Sequence, residues 1–226
     1  MLKSLVNLLF PKGCSGCNEI LQEGEAVVCI TCRHDMPFTR HHLNPDNETY
    51  RKFHARLPLR HASSLLYFQK EGMAQQLIHN LKYRGQKDVG MLMGEWFSDD
   101  LKTVEALRDV DVVIPVPLHQ RKLRERGYNQ VAGFGKAIAE GLECDYREDI
   151  LQRVTYNKTQ TKKNLADRAA IIGSAFDIAS AEEHRGKHFL LVDDVITTGA
   201  TLEACGKALL KIPDAKLSIV TIAYAQ

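Results

Sequence analysis

Residues 190–201 read LLVDDVITTGAT, and the run Phe189–Val192 is continuous and apolar, as expected of a parallel strand buried on both faces. Two acids, Asp193 and Asp194, follow it. Then come Thr197, Thr198, Gly199, Ala200 and Thr201, where a helix is expected to begin. Ligands of open parallel sheets bind beyond the carboxyl ends of the strands. A helix N-terminus offers unpaired N–H groups and a positive dipole end, both of which favour phosphate. Gly199 lets the backbone come close to such a group, and the threonine hydroxyls add donors. An ionised carboxylate only accepts hydrogen bonds, so Asp193 and Asp194 suit sugar hydroxyls rather than phosphate. The stretch reads as a site for a sugar with a phosphate at one end. The simpler alternative is a surface turn with Thr201 or a neighbour as helix cap. A cap needs no paired acids together with two threonines and a glycine. No Gly-Lys-Ser/Thr follows, which excludes a Walker loop.

A second anion element precedes it. Residues 114–129 read IPVPLHQRKLRERGYN and begin at the end of another expected strand, Val112–Val116. Pro115 and Pro117 hold the chain extended. Arg121, Lys122, Arg124 and Arg126 gather positive charge, and Gly127 is expected to open the next helix. Arginine binds phosphate oxygens bidentately, so this segment suits a pyrophosphate. An exposed basic face is the alternative. The position after a buried strand favours the binding role.

Strands and helices alternate around these two elements. Strands are expected at Ser63–Phe68, Val112–Val116, Phe189–Val192 and Leu217–Tyr224. Helices are expected at Gly72–Tyr83, Val89–Leu107, Tyr128–Leu142 and Thr201–Leu210. Such alternation implies an α/β fold, a mainly parallel sheet with helices on both faces. Residues 155–168, TYNKTQTKKNLADR, are polar and basic and read as a loop able to close over a site. Lys162, Lys163 or Arg168 is expected to reach the pyrophosphate on closure; for the lysines, a surface loop with no role reads equally well.

The 226 residues suffice for one large domain and a small module. Residues 1–36 are expected to form a cysteine-rich module, 37–60 a linker over the surface, and 61–226 the main domain. Cys14-x2-Cys17-x11-Cys29-x2-Cys32 is a four-thiolate spacing of zinc-ribbon or knuckle type. Zinc with four protein ligands is structural, and it would supply much of the folding energy of so short a segment. A redox pair or an iron–sulfur cluster are the rivals, but no redox context or open ligand position is visible. Cys144 and Cys205 read as ordinary buried thiols. His41, His42, His54 and His61 match no standard ligand spacing and are expected to be solvated.

A net charge of +2 gives no argument for nucleic acid or membrane. No apolar run approaches the roughly 20 residues of a membrane helix. The N-terminal MLKSLVNLLFP is expected to be a short helix packed on its own domain, not a signal peptide. A cytoplasmic location follows as the expectation.

LLVDDVITTGAT resembles the signature of type I phosphoribosyltransferases for phosphoribosyl pyrophosphate (PRPP). PVPLH, RERGYNQ, TQT with Arg168, and LKYRG at Leu81–Gly85 extend the likeness to the ComF family over nearly the whole chain. Members pair a four-cysteine N-terminal module with a phosphoribosyltransferase-like domain. They are linked to competence, the uptake of DNA for transformation, and likened to amidophosphoribosyltransferases. The resemblance implies that Asp193 and Asp194 hold the ribose hydroxyls, forming with Arg168 the candidate catalytic set. It implies that Thr197, Thr198, Gly199, Ala200 and Thr201 wrap the 5′-phosphate. It places the pyrophosphate on Val116, Pro117, Arg121, Arg126 and Lys82, with Mg2+ bound through the substrate phosphates. At the place where the family often has Asn, this chain has Ile171, although Ala175 and Phe176 follow as usual. Two functions fit these features. One is an enzyme transferring the phosphoribosyl group to a nitrogenous acceptor. The other is a PRPP- or nucleotide-phosphate-binding protein without turnover, supporting single-stranded DNA processing through DNA or a partner helicase. The acceptor is not legible in any segment.

Overall fold

The computed structural model describes residues 12–153, 176–179 and 181–226. The N-terminal run MLKSLVNLLFP, the basic stretch 155–168 with Lys162, Lys163 and Arg168, and Ile171 and Ala175 lie outside the described residues.

Five strands form one sheet: β1 (His61–Phe68), β2 (Val112–Pro115), β3 (Asp145–Tyr146), β6 (His188–Ile196) and β7 (Lys216–Ala225). Their order is β1-β7-β6-β2-β3, and every pairing is parallel. A separate antiparallel pair joins β4 (Leu151–Arg153) to β5 (Phe176–Ile178). The expected α/β class therefore holds. Central strands are buried on both faces, which explains why they read as unbroken apolar runs. Leu190 and Val192 of β6 face one core, while Phe189 and Leu191 face the other.

The described helices are α1 (Ile30–His34), α2 (Glu48–Phe53), α3 (Met73–Tyr83), α4 (Lys87–Leu101), α5 (Gln120–Arg126), α6 (Ala132–Gly141) and α7 (Ala200–Leu209). Helices α3, α4 and α6 pack on the first core, and α7 packs on the second. Helix α4 lies close against α6 because Gly94 has no side chain. A Cβ there would stand 2.5 Å from the carbonyl oxygen of Phe134. The expected helix Val89–Leu107 stops at Leu101, where the Thr103 hydroxyl donates to the Asp100 carbonyl and a 3₁₀ turn, Glu105–Leu107, takes over. The expected helix from Tyr128 begins only at Ala132, since Asn129 is tied to the Val116 carbonyl at 3.1 Å.

Residues 37–60 do more than cross the surface. Helix α2 is capped by Asn47, whose Oδ1 accepts the Tyr50 N–H at 3.0 Å. The Asn47 amide also donates to the Ala62 carbonyl of β1 at 2.8 Å, which fixes the helix to the sheet. Phe53 is fully buried in the second core. Of the four histidines, His54 is exposed as expected, whereas His41 and His61 are not. His41 is buried, paired with Glu48 at 2.8 Å and Thr49 at 3.0 Å. His61 is buried against the Ser63 hydroxyl at 2.7 Å, and loss of hydration lowers its pKa to about 4. Side chains of the fold, not solvent, surround both rings, with Thr49 hydrogen-bonded to His41 Nδ1 and Ser63 to His61 Nε2.

Candidate functional site

Strand order locates the site. The chain leaves β2 for α6 and β3 on one side, and leaves β6 for α7 and β7 on the other. Because α6 and α7 lie on opposite faces, β2 and β6 flank a switch point, where a crevice opens beyond the strand ends. The two strands run out together. Pro115 pairs with Val192, and the Val116 N–H donates to the Val192 carbonyl at 2.9 Å. Val116 is buried and Pro117 half-buried at this lip.

Strand β6 continues past its expected end and carries both acids. Alternation then sends them to opposite faces. Asp194 is buried on the side of α3 and α6. Lys82 of α3 donates to its Oδ1 at 2.8 Å, and Gln130 donates to its Oδ2 at 2.6 Å. Asp193 accepts the Asp194 N–H at 2.9 Å and remains half-buried. Loss of hydration, then the neighbouring charge of Asp194, raises the Asp193 carboxyl well above the usual range. The charges of Lys82 and Lys122 act against that rise.

The loop after β6 brings Thr197 and Thr198 to the surface. Gly199 follows with φ 76° and forms the N-cap position of α7. No side chain caps this helix. The Ala200 N–H has only a long contact of 3.4 Å to the Thr198 hydroxyl, so the N-terminus is open to an anion. Glycine is required twice over at 199. Its backbone is left-handed, and a Cβ would meet the Phe53 ring at 3.0 Å.

The basic segment folds as α5, with His119 capping the Arg121 N–H at 3.1 Å. Gly127 closes this helix, with φ 74°, and does not open the next. Helix α5 buries no residue, so its side chains divide by direction. Arg121 is 79% exposed and is taken by Glu125 at 2.7 Å along the helix. Arg126 reaches back to Gln130 at 2.6 Å, which links it to Asp194 through one amide. Lys122 is the α5 cation whose charge reaches Asp193. The structure therefore gathers Asp193, Asp194, Lys82, Arg126, Val116 and Pro117 around the β2–β6 lip, beside Thr197–Thr201. Arg121 is turned to its own helix.

Gln130 was missed by the sequence reading. It is buried and bridges Asp194 to Arg126, and only tertiary packing reveals this. Its place in RERGYNQ was the available signal.

The four cysteines come together alongside α3, with Gly16 against Met73 and the Ser15 carbonyl accepting from Asn80. Their sulfur atoms all lie within 4.8 Å of one another. Cys17 and Cys29 sulfurs are 3.8 Å apart, close to the roughly 3.8 Å edge of a tetrahedron with Zn–S bonds near 2.3 Å. Backbone N–H groups of Gly16 and Cys29 point at the Cys14 sulfur at 3.3 and 3.2 Å. Burial would raise the Cys14 thiol, but the N–H donors of Cys29, Cys17 and Gly16 outweigh it and bring it to about 7. Burial, reinforced by three neighbouring thiols, raises Cys32 far above the ordinary range. Four unbonded thiols at this spacing fit a structural metal such as zinc.

Residues 132–226 match the family model described as "Phosphoribosyl transferase domain". Competence protein F of Haemophilus influenzae is 33% identical over 127 residues, 56% of each chain. DNA utilization protein YhgH of Escherichia coli O157:H7 is 27% identical over 60% of each chain. Competence protein ComFC of Bacillus subtilis is 25% identical over 88% of this chain and 78% of its own length. The chain thus spans less than two thirds of the first two relatives. Parallel sheet, acids at the switch point and the matched stretch give residues 132–226 a phosphoribosyltransferase-like fold. With its four-cysteine cluster, the chain is similar to these competence and DNA utilization proteins. Among the described residues no helix is long and apolar enough to cross a membrane.

Proposed function

We propose that the protein binds PRPP with Mg2+ and transfers its phosphoribosyl group to a nitrogenous acceptor, in the handling of DNA taken up during transformation. One arrangement carries this reading: paired acids at the end of β6 followed directly by the uncapped N-terminus of α7. Asp193 and Asp194 take the ribose hydroxyls, and the amides and hydroxyls of Thr197–Thr201 take the 5′-phosphate. Lys82 and Arg126 would stabilise the charge that a pyrophosphate gains as it leaves C1′. Bound Mg2+ would neutralise that charge, held largely by the phosphates themselves. Water must be kept from C1′ during the step, and Arg168 with the stretch 155–168 is assigned to that closure. The relatives named for competence and DNA utilization support the cellular setting.

Titration calorimetry with PRPP and Mg2+, followed by pyrophosphate release in the presence of bases and amines, tests the reading. Binding with release is the expected result. Binding with no release for any acceptor overturns the transfer step and leaves a PRPP-binding module. No binding overturns the site.

A second reading, contact with single-stranded DNA, has its own observation. Tyr83 is 67% exposed, with the Arg126 guanidinium 5.3 Å from its ring, and Lys87 stands 4.7 Å from the Tyr128 ring. Exposed aromatics interleaved with cations are the usual stacking platform for bases. Tyr83→Ala is expected to weaken oligonucleotide binding by about tenfold, within the ~1–3 kcal/mol of one stacked base. Fluorescence anisotropy at two salt concentrations checks it, and unchanged affinity excludes this platform.

A further inference from the structure

Helix α2 stands beside the phosphate loop, and the site described so far uses only its Phe53 ring, under Gly199. Lys52 donates its ammonium to the Thr197 carbonyl. One turn on, Arg56 contacts the Thr198 carbonyl at 3.5 Å and pairs with Glu203 of α7 at 3.0 Å. Phe53, between them, packs under Gly199. The helix is itself fixed to β1 through Asn47. The Lys52 ammonium also sits 4.5 Å from the Tyr224 ring, and among the described residues no carboxylate pairs with it.

We propose that Lys52, assisted by Arg56, is a positioning residue for the 5′-phosphate loop. The reasoning is geometric. In a trans peptide the C=O and the following N–H point in opposite directions. A cation holding the Thr197 carbonyl toward α2 therefore aims the Thr198 N–H away from α2. The same contact at Thr198 aims the Gly199 N–H away. Those amides join the open N–H groups of Ala200 and Thr201 as donors to one phosphate. Exposed loops of this kind otherwise sample several peptide orientations. The brace fixes one before ligand arrives, so binding loses less conformational freedom. The two outward carbonyls are also kept from the anion, which they would repel.

This inference rests on the proposed PRPP site for its binding arm only. Lys52→Met keeps the stem over Tyr224 and removes the charge. It is expected to lower affinity for ribose 5-phosphate and PRPP by about tenfold, the worth of one charge-assisted hydrogen bond. Affinity for pyrophosphate alone should be unchanged, and Lys52→Arg should restore most of the loss. An equal fall for pyrophosphate overturns the proposal in favour of a general loss of positive charge. Hydrogen exchange supplies an arm independent of any ligand. Amides at 198–202 should exchange faster in Lys52→Met while those of β6 and β7 do not. Unchanged exchange in the loop overturns the brace. Wild-type protein that binds neither sugar phosphate, yet shows faster loop exchange in Lys52→Met, overturns the PRPP reading and keeps the brace.

Discussion

Asp194→Asn is expected to lower PRPP affinity about hundredfold, or ~2.7 kcal/mol, while leaving the melting temperature nearly unchanged. Asparagine keeps the shape and one acceptor oxygen, so the Gln130 amide retains its partner. Its NH2 then faces the Lys82 ammonium where Oδ1 stood at 2.8 Å. Two donors meet, and Lys82 swings out. Lys82 is 21% exposed on its side chain and reaches water, which limits the cost to folding. Binding has no such escape. A ribose hydroxyl loses its ionised acceptor, a contact worth roughly 1.5–3 kcal/mol, and the pyrophosphate loses a placed cation. Asp194→Ala should match it in binding but cost more stability, because Gln130 is then buried without an acceptor. Asp193→Asn should be milder. Its carboxyl is already held toward the neutral form, first by burial and then by Asp194. Calorimetry with PRPP and thermal melts of the three variants check this ordering. Wild-type affinity in Asp194→Asn would remove Asp194 from the site.

What the sequence made legible follows from what periodicity and motif encode. Strands β2, β6 and β7 stood out because both faces are buried, so the apolar run is unbroken. The loop Asp193–Thr201 stood out because its chemistry is local. Helix α5 was hidden because it buries nothing and so has no apolar stripe. Helix α2 was hidden by length and polarity: six residues, with Thr49 and Phe53 alone turned inward. Strand β3 has two residues and exists through its pairing with Val112 and Val113. Among site residues, Lys82 was reached through a motif and not through the helix that carries it. Gln130 and Lys52 are defined by partners 64 and 145 positions away. Arg121 and Lys122 are neighbours of like charge, and only the rotation of α5 separates their directions.

Removing zinc is expected to destabilise the whole chain, not the N-terminal module alone. The four-cysteine segment has too few apolar residues for a core of its own and borrows one. Cys14, Val28, Cys32 and Met36 pack with Leu65, Leu66, Ala74 and Leu77 of the first core. The Asn80 amide donates to the Ser15 carbonyl at 2.8 Å, and a Cβ at Gly16 would lie 3.2 Å from Met73. Both contacts are on α3, the helix that ends with Lys82 and Tyr83. Metal-free, the four sulfurs within 4.8 Å repel as thiolates or stay protonated without ligand bonds. Chelation or Cys32→Ser should therefore cost several kcal/mol. At about 2–4 °C per kcal/mol for a chain of this size, melting should fall by roughly 10 °C. PRPP affinity should fall with it, because α3 loosens and Lys82 no longer holds Asp194. Elemental analysis should give one zinc per chain in wild type and none in Cys32→Ser. A protein that carries no zinc, or that melts and binds PRPP unchanged after chelation, would uncouple the cysteine cluster from the fold and the site.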